Sequence, residues 1–395
     1  MKILPGYIYI IVALAILLPG CKKPYNPAIV DSANSYLVVE GAINSANDST
    51  VIKLSKTVKI SGNVNSDMIS DANVTVESES GGTYTLVSQS DGTYISTGLN
   101  LDASKKYRLH ITTADNKEYA SDYEVVKASP PIDSIGFKTD GGKMQVYVNA
   151  HDATANSRYY RWEYEETWKF HARYVSDYIV DLNAVKTDSI RFRKPEEQAY
   201  YCYHGDKSST IVLASSAKLA QDVIFQAPIT DIPSTSEKIE MRYSILIRQY
   251  ALTKEAYQFW ENLKKNTEQL GSIFDAQPSQ LKGNIHNLKD ANEPVIGYIS
   301  ITNRQKKRVF IDNAQLPANW ATTYPYDCGS VDSALIFNAK SKKREVKTFI
   351  VEGGSIPLEP IYLTGSNLII GYTYSTYECS DCKLRGSIHP PSFWK

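Results

Sequence analysis

The sequence lacks the short motifs that usually mark a catalytic or metal-binding site. It contains no G-x-S-x-G turn, no phosphate-binding Walker loop, no H-E-x-x-H and no EF-hand pattern. Histidine is scarce, and no metal-ligand spacing relates the six that occur: His110, His151, His171, His204, His286 and His389. We therefore expect no catalytic residue, no metal and no cofactor, and we do not expect an enzyme.

An excess of charge of either sign is also absent. The 43 lysine and arginine residues balance 43 aspartate and glutamate residues, so the formal net charge is zero. Proteins that bind nucleic acid carry a basic surplus or a basic patch that faces the phosphates. The basic runs at 304–308 and 340–344 are short and are more typical of solvated hairpin edges. We expect no nucleic-acid partner.

Long apolar runs are absent after the first 21 residues. The run near the start covers residues 8–18, follows a positive charge at Lys2 and is shorter than the roughly 20 residues that span a bilayer. This pattern predicts a secretory signal peptide over residues 1–20. Its ending, LPGC, resembles a bacterial lipobox, in which the cysteine thiol takes a diacylglycerol. We expect a lipid on Cys21 to hold the protein to a membrane, with 21–35 as anchor and linker.

Cysteine is rare beyond that position, and the four that remain are Cys202, Cys328, Cys379 and Cys382. An exported chain meets oxidising conditions, so these four most simply form two disulfide bonds. Direct closure of Cys379 on Cys382 is the least attractive of the three pairings, because the two meet only across a tight turn. We expect each of them to reach back to Cys202 or to Cys328 and so to tie down the C-terminal tail.

A zinc or redox site is the alternative for the C-x-x-C at 379–382. Zinc would need a second close pair of ligands, and the isolated Cys202 and Cys328 do not supply one. A thioredoxin-like site would need a helix after the motif, and KLRGSIHPPSFW is a poor helix. Structural disulfides are therefore favoured.

What the sequence does contain is a succession of short β-strand patterns. Between residues 36 and 127, alternating or β-branched runs are separated by turn pairs such as Gly81-Gly82 and Asp91-Gly92. This predicts an N-terminal β-sandwich. The segment from DANVTV through DGTY to KKYRL resembles the transthyretin-like or carboxypeptidase-regulatory β-sandwich. That resemblance implies a module that binds or supports other parts and is rarely catalytic.

A linker with Pro130-Pro131 precedes a second, larger β-rich domain, which we predict over residues 132–395 as an Ig-like sandwich. In the strand 158–170, the aromatic residues share one face by period two, whereas Arg161, Glu163 and Glu165 point to the other face, where we expect the two glutamates to be solvated. The aromatic row suits a stacking platform for sugars or bases, but such a row is more often the buried face of a strand, which we favour.

One helix is predicted inside this domain, over residues 252–270. Thr253 is placed to cap it, Gly271 to end it, and an aromatic stripe with Phe259 and Trp260 to pack against the sheet. A polar loop follows and leads into a strand at Val295. A loop of this length is often functional, although an ordered structural loop is the commoner outcome.

Several landmarks together carry a family resemblance across nearly the whole mature chain. They are YLVVEGAIN, DANVTV with DGTY, PPIDSI, YYRWEYE, the run RYSILIRQYALTKEAYQFWENLKKNTEQLGSIFDAQPSQLKGNI, VIGYIS, and CSDC with PPSFW. The chain is similar to the Bacteroidetes lipoproteins of unknown function whose genes lie beside TonB-dependent receptors. The resemblance implies an outer-membrane location, a lipid anchor and a TonB-dependent outer-membrane receptor as partner. It implies no catalytic residues.

Three functions follow from these observations, in decreasing order of support. The first is an accessory or substrate-capturing subunit of a TonB-dependent nutrient transporter. The second is a structural envelope protein, and the third is a surface hydrolase of glycans or peptides, which would need carboxylates that converge across a cleft. Lys22-Lys23 lacks the acidic run associated with surface export in some members of the phylum, so the side of the membrane stays open.

Overall fold

The computed structural model describes residues 35–58, 67–181, 190–268 and 282–394. Cys21, the expected signal peptide and nearly all of the expected linker at 21–35 lie outside these ranges. The described residues from Tyr36 onwards form one compact unit, and they are mainly β, which confirms the predicted fold class. In the same ranges, no helix has the length and apolar character needed to cross a membrane.

In the N-terminal β-sandwich, the strands at 50–56 and 106–112 bury every second side chain. Ile52 and Leu54 face the core, whereas Val51 of the same strand is exposed. The strands are β1 (Leu37–Asn44), β2 (Thr50–Lys56), β3 (Asp67–Met68), β4 (Asn73–Ser78), β5 (Thr83–Ser88), β6 (Thr93–Ser96), β7 (Lys106–Thr112), β8 (Glu118–Ser121) and β9 (Glu124–Lys127). They pair in the order β8, β7, β4, β5, β6, β2, β1, and β9 pairs with β7.

A second set of strands follows the linker. They are β10 (Ile132–Asp140), β11 (Lys143–His151), β12 (Tyr159–His171), β13 (Tyr178–Val180), β14 (Ile190–Phe192), β15 (Tyr201–Lys207), β16 (Val212–Ser215), β17 (Val223–Pro233) and β18 (Arg242–Ala251). The helix α1 (Lys254–Glu268) comes next, and then β19 (Ile285–Asn287), β20 (Ile301–Thr302) and β21 (Gln305–Asp312). One sheet is β10–β11–β17, and the facing sheet is β15–β12–β18–β21 with β16 beside β12.

These two sheets enclose one core, and the aromatic row of β12 lies in it. Met144 and Val148 come from β11, and Ile245 comes from β18. The buried aromatic side chains of β12 are Tyr160, Trp162, Tyr164, Trp168 and Phe170. The prediction that this row is core is therefore confirmed.

Two of the short strands return to the first sandwich. β19 pairs with β8, and β20 lies parallel between β1 and β9. Ile285, Ile299 and Ile301 are buried in the N-terminal core. The predicted boundary between 36–127 and 132–395 leaves out this return, because the N-terminal sheet is completed by strands that lie far along the chain. The polar loop expected before Val295 contains β19, and Val295 itself is not in a strand.

The helix begins two residues later than its sequence pattern predicts. It begins at Lys254, after Thr253, whose Oγ1 accepts a hydrogen bond from the Ala256 amide (3.2 Å) as predicted for a cap. Ala256 and Phe259 are buried against Tyr250 and neighbouring residues. The predicted end at Leu270 and Gly271 lies outside the described residues.

The last part of the chain forms a small third cluster that the sequence patterns did not predict. Strands β22 (Asp332–Leu335), β23 (Ile356–Tyr362) and β24 (Ile369–Ser375) pair in the order β22–β24–β23. They share a small core with Tyr178 of β13 and with the π-helix Val346–Glu352. Short helices complete the chain at Pro195–Glu197, Glu237–Ile239, Asn313–Gln315, α2 (Tyr377–Ser380) and Cys382–Leu384.

Two disulfide bonds tie the C-terminal tail to the body of the protein. Cys382 bonds Cys202 of β15, and Cys379 bonds Cys328. Backbone hydrogen bonds support the first bridge, because the Cys382 amide donates to the Ala199 carbonyl (2.8 Å). The expected disulfide bonds are therefore present, and the C-x-x-C divides its two cysteines between two distant partners.

Candidate functional site

A cleft of about 600 Å³ lies where the N-terminal sandwich meets the second one. One wall comes from β1 and β2, the opposite wall from β12 and β18, and α1 with the residues after β15 closes one end. The size is that of a small-molecule site, because ligand pockets usually measure roughly 300–1,000 Å³.

Hydrogen bonds across the linker hold these walls in place. The Ser129 hydroxyl pairs with Thr302 Oγ1 (2.9 Å) and accepts from the Ala251 amide (2.7 Å). Gln249 Nε2 donates to the Pro130 carbonyl (2.7 Å), and its Oε1 accepts from the indole of Trp162 (2.9 Å). Because these side chains are buried and paired, they fix the angle between the two cores.

Arg161 is the central cation of the cleft. It lies on β12, and only 8 % of the residue is exposed. Its guanidinium stacks on the Trp260 ring at 3.9 Å from the centroid and lies 5.0 Å from the centroid of Tyr250. Its Nη2 donates to Glu163 Oε1 (2.5 Å). A buried cation is therefore held by one carboxylate and by aromatic rings.

The charges of Glu163 and Tyr250 depend on each other. Burial would raise the pKa of Glu163, but the positive charge of Arg161 and the hydrogen bond from the Tyr250 hydroxyl (2.7 Å) outweigh it, so this pKa lies below its usual value. Burial, followed by the negative charge of Glu163, raises the pKa of Tyr250 to about 12. Glu163 is thus an anion and Tyr250 a neutral donor at neutral pH.

Two further arginines line the cleft, and each has its own carboxylate. Arg248 Nη2 lies 3.0 Å from Glu165 Oε1. Arg304 Nη2 donates to Asp48 Oδ2 (2.6 Å), and the Arg304 amide donates to Asn44 Oδ1 (3.2 Å). The guanidinium groups are therefore oriented before any ligand arrives.

The residues after β15 are fastened to α1. Lys264 Nζ donates to the Ile211 carbonyl (2.7 Å), and the Ile211 amide donates to Glu268 Oε1 (2.6 Å). Ser208 is bound to β12, because its hydroxyl accepts from the Tyr164 amide (3.1 Å). These bonds position Lys207, Ser208, Ser209 and Thr210 at the mouth of the cleft.

The expectation that Glu163 and Glu165 are solvated holds only in part. Their side chains are 40 % and 29 % exposed, but each is paired with an arginine. Arg161 on the same face is buried, because α1 and the first sandwich cover this part of the strand. Glu166 lies on the aromatic face instead, where it is buried and accepts from the Tyr243 hydroxyl (2.7 Å). The signal was present in the sequence, since an arginine amid aromatic residues on a strand is a candidate for stacking.

The expected absence of a metal site finds no contrary observation. In the ranges that the structure describes, no three His, Cys, Asp or Glu side chains are grouped so as to hold a metal ion. The histidines lie apart: His151 pairs with Asp133 (2.8 Å) and His171 lies 3.3 Å from Glu240, both outside the cleft.

Comparison with known proteins gives the family. A model described as "Domain of unknown function (DUF4249)" matches residues 22–308. The chain belongs to this family. The cleft of the DUF4249 region lies wholly inside the matched residues, since its lining runs from Glu40 to Arg304. Cys328, Cys379 and Cys382 follow the matched region.

Comparisons with curated proteins and with solved structures give only remote similarity for this chain. No curated protein matches it. Among solved structures, it is similar to a segment of two fibronectin type-III domains from chicken tenascin, with 11 % identity over 55 % of this chain and 93 % of that chain, at a TM-score of 0.17. It is also similar to a DUF3823 family protein from Bacteroides ovatus, with 12 % identity over 55 % of this chain and 91 % of that chain, at a TM-score of 0.14.

Proposed function

We propose that this chain is the substrate-capturing subunit of a TonB-dependent nutrient transporter and that it holds its ligand in the cleft. A lipid on Cys21 anchors it to the outer membrane, and the TonB-dependent receptor receives the ligand. The observation that carries the binding role is the set of three oriented arginines around one small-molecule cleft. The sequence resemblance supports the membrane location and the partner.

The arrangement of charges supports binding rather than hydrolysis. A glycosidase needs a protonated carboxylic acid whose pKa is raised. In the cleft, Glu163 has a lowered pKa and pairs with Arg161, and Glu165 pairs with Arg248. Glu163 and Glu165 therefore act as anchors for cations, and Glu40, the third carboxylate of the lining, is exposed.

The alternative of a purely structural envelope protein does not explain why the cleft contains buried charge. Burial of a charged group carries a free-energy penalty even when the group is paired. A structural module could replace Arg161, Glu163 and Tyr250 by apolar side chains of similar volume at little loss of stability. A ligand that uses the cation explains why the burial is tolerated.

The test is an affinity pull-down of the tagged, lipidated protein from detergent-solubilised outer membranes of its own host. We expect a large TonB-dependent barrel in near-equal amount, identified by mass spectrometry. The matched control is Cys21→Ser, which removes the lipidated thiol and should lose both the membrane location and the barrel. Recovery of the wild-type lipoprotein without any barrel would contradict the transporter role.

A further inference from the structure

We propose that the ligand of this cleft is a compact organic anion, recognised through a carboxylate, sulfate or phosphate group. The inference rests on the proposed function, because it names the ligand class of the same cleft. The inference follows from the positive charge of the cleft, from the N–H donors of its arginines and from the hydroxyl groups at its mouth.

The cleft is locally basic in a chain that is neutral as a whole. Its lining includes three acidic side chains, Glu40, Glu163 and Glu165, against five cationic ones, which are Lys53, Arg161, Lys207, Arg248 and Arg304. Asp48, which pairs with Arg304 behind the lining, reduces this surplus from two positive charges to one. The formal net charge of the whole chain is zero, so the remaining surplus is local to the cleft. A concave surface with low-dielectric walls concentrates such a field and attracts anions.

The arginines retain donors for a ligand. A guanidinium carries five N–H donors in a planar fork, and one carboxylate accepts at most two of them. In Arg161, Arg248 and Arg304 the ion pair is made through Nη2. Arg304 also forms a side-chain hydrogen bond with Tyr250. The N–H groups of Arg161 and Arg248 outside these ion pairs match the paired oxygens of a carboxylate, a phosphate or a sulfate.

The mouth of the cleft adds donors that are not charged. Ser209 and Thr210 belong to the lining, and the bonds from Ile211 to Lys264 and Glu268 hold their segment against α1. Hydroxyl groups there suit the hydroxyl or ring-oxygen atoms of the remainder of the ligand. The volume of about 600 Å³ limits that remainder to a small molecule.

The experiment is isothermal titration calorimetry of the full chain with matched probes. D-glucose, D-glucuronate, glucose 6-phosphate and glucose 6-sulfate share one sugar body and differ in the charged group, and inorganic phosphate tests the anion alone. We expect at least one sugar anion to bind while D-glucose does not, and we expect the affinity to fall as salt rises. Binding of inorganic phosphate as tight as that of glucose 6-phosphate would assign the recognition to the free anion.

Variants locate the binding. Arg248→Gln removes a lining cation and should lower the affinity for the anion by about tenfold or more. Lys207→Gln is the second variant, because its side chain is 83 % exposed and its loss should not disturb folding; we expect a few-fold weakening. The matched control is Arg108→Gln, which breaks a comparable pair with Glu77 (2.8 Å) outside the cleft and should leave the affinity unchanged.

The outcomes separate this inference from the proposed function. D-glucose bound as tightly as the anions, or no anion bound, would overturn the anionic class, as would an affinity that Arg248→Gln and Lys207→Gln both leave unchanged. These results do not touch the pull-down, which tests the transporter partner. Conversely, a pull-down without a barrel would contradict the transporter role and leave measured anion binding intact.

Discussion

The guanidinium carbon of Arg161 lies 3.9 Å from the centroid of the Trp260 ring. The first residue comes from β12 and the second from α1, so this stack joins the helix to the cleft. Glu163 neutralises the guanidinium from the side. The contact therefore couples the position of α1, and of the loop bound to it, to the central cation of the site.

The first prediction concerns this stack. Trp260→Ala should lower the free energy of unfolding by about 2–3 kcal/mol, because it removes apolar contact and the cation–π interaction. A double-mutant cycle with Arg161→Met, measured by urea unfolding, should give a coupling energy of about 1–2 kcal/mol. Additive effects of the two substitutions would show that the stack contributes nothing.

Sequence reasoning predicted the aromatic face of β12 and missed the other face for a physical reason. Period two assigns side chains to faces but does not say what covers each face. The burial of Arg161 depends on α1 and on the first sandwich, which are distant along the chain. A local pattern treats such a face as solvated, and only the tertiary packing shows that Glu163 and Tyr250 enclose a cation there.

The sequence could not predict that β19 and β20 pair with strands of the first sandwich, for a similar reason. β19 has three residues and β20 has two, so neither carries a periodic pattern long enough to recognise. Their pairing partners lie in β8, β1 and β9. The Pro130-Pro131 linker lies between the end of β9 at Lys127 and the start of β10 at Ile132, and residues that follow it also enter the first core.

The second prediction concerns the order in which the disulfide bonds are reduced. Cys202 and Cys382 are both 0 % exposed, whereas Cys328 is partly exposed. A reducing thiolate must reach a sulfur atom, so access controls the rate. With dithiothreitol under native conditions, alkylation and mass spectrometry should find Cys328 and Cys379 modified first. Earlier modification of Cys202 and Cys382 would contradict the burial of that bridge.

The third prediction concerns the backbone of β1 at the wall of the cleft. Gly41 has φ of +128°, and a Cβ there would lie 2.3 Å from the Val51 carbonyl oxygen. Gly41→Ala should therefore destabilise the protein by several kcal/mol, measured by thermal or urea unfolding. The matched control is Gly81→Ala, since Gly81 has φ of +89° and open space around it. That change should cost about 1 kcal/mol, and equal effects would refute the steric explanation.

The last prediction concerns acid stability through Asp48. Burial would raise its pKa, but hydrogen bonds from Arg304 and the Ser49 amide outweigh it and lower the pKa from 3.8 to about 2. A carboxyl with a lowered folded pKa adds stability above its unfolded pKa, and this is lost as pH falls from about 4 to about 2. In urea unfolding, the deficit of Asp48→Asn should thus be full at pH 6 and shrink towards pH 2. Arg304→Gln should reduce the change in the free energy of unfolding over the same pH range. A deficit of Asp48→Asn that is independent of pH would exclude the ion pair as its cause.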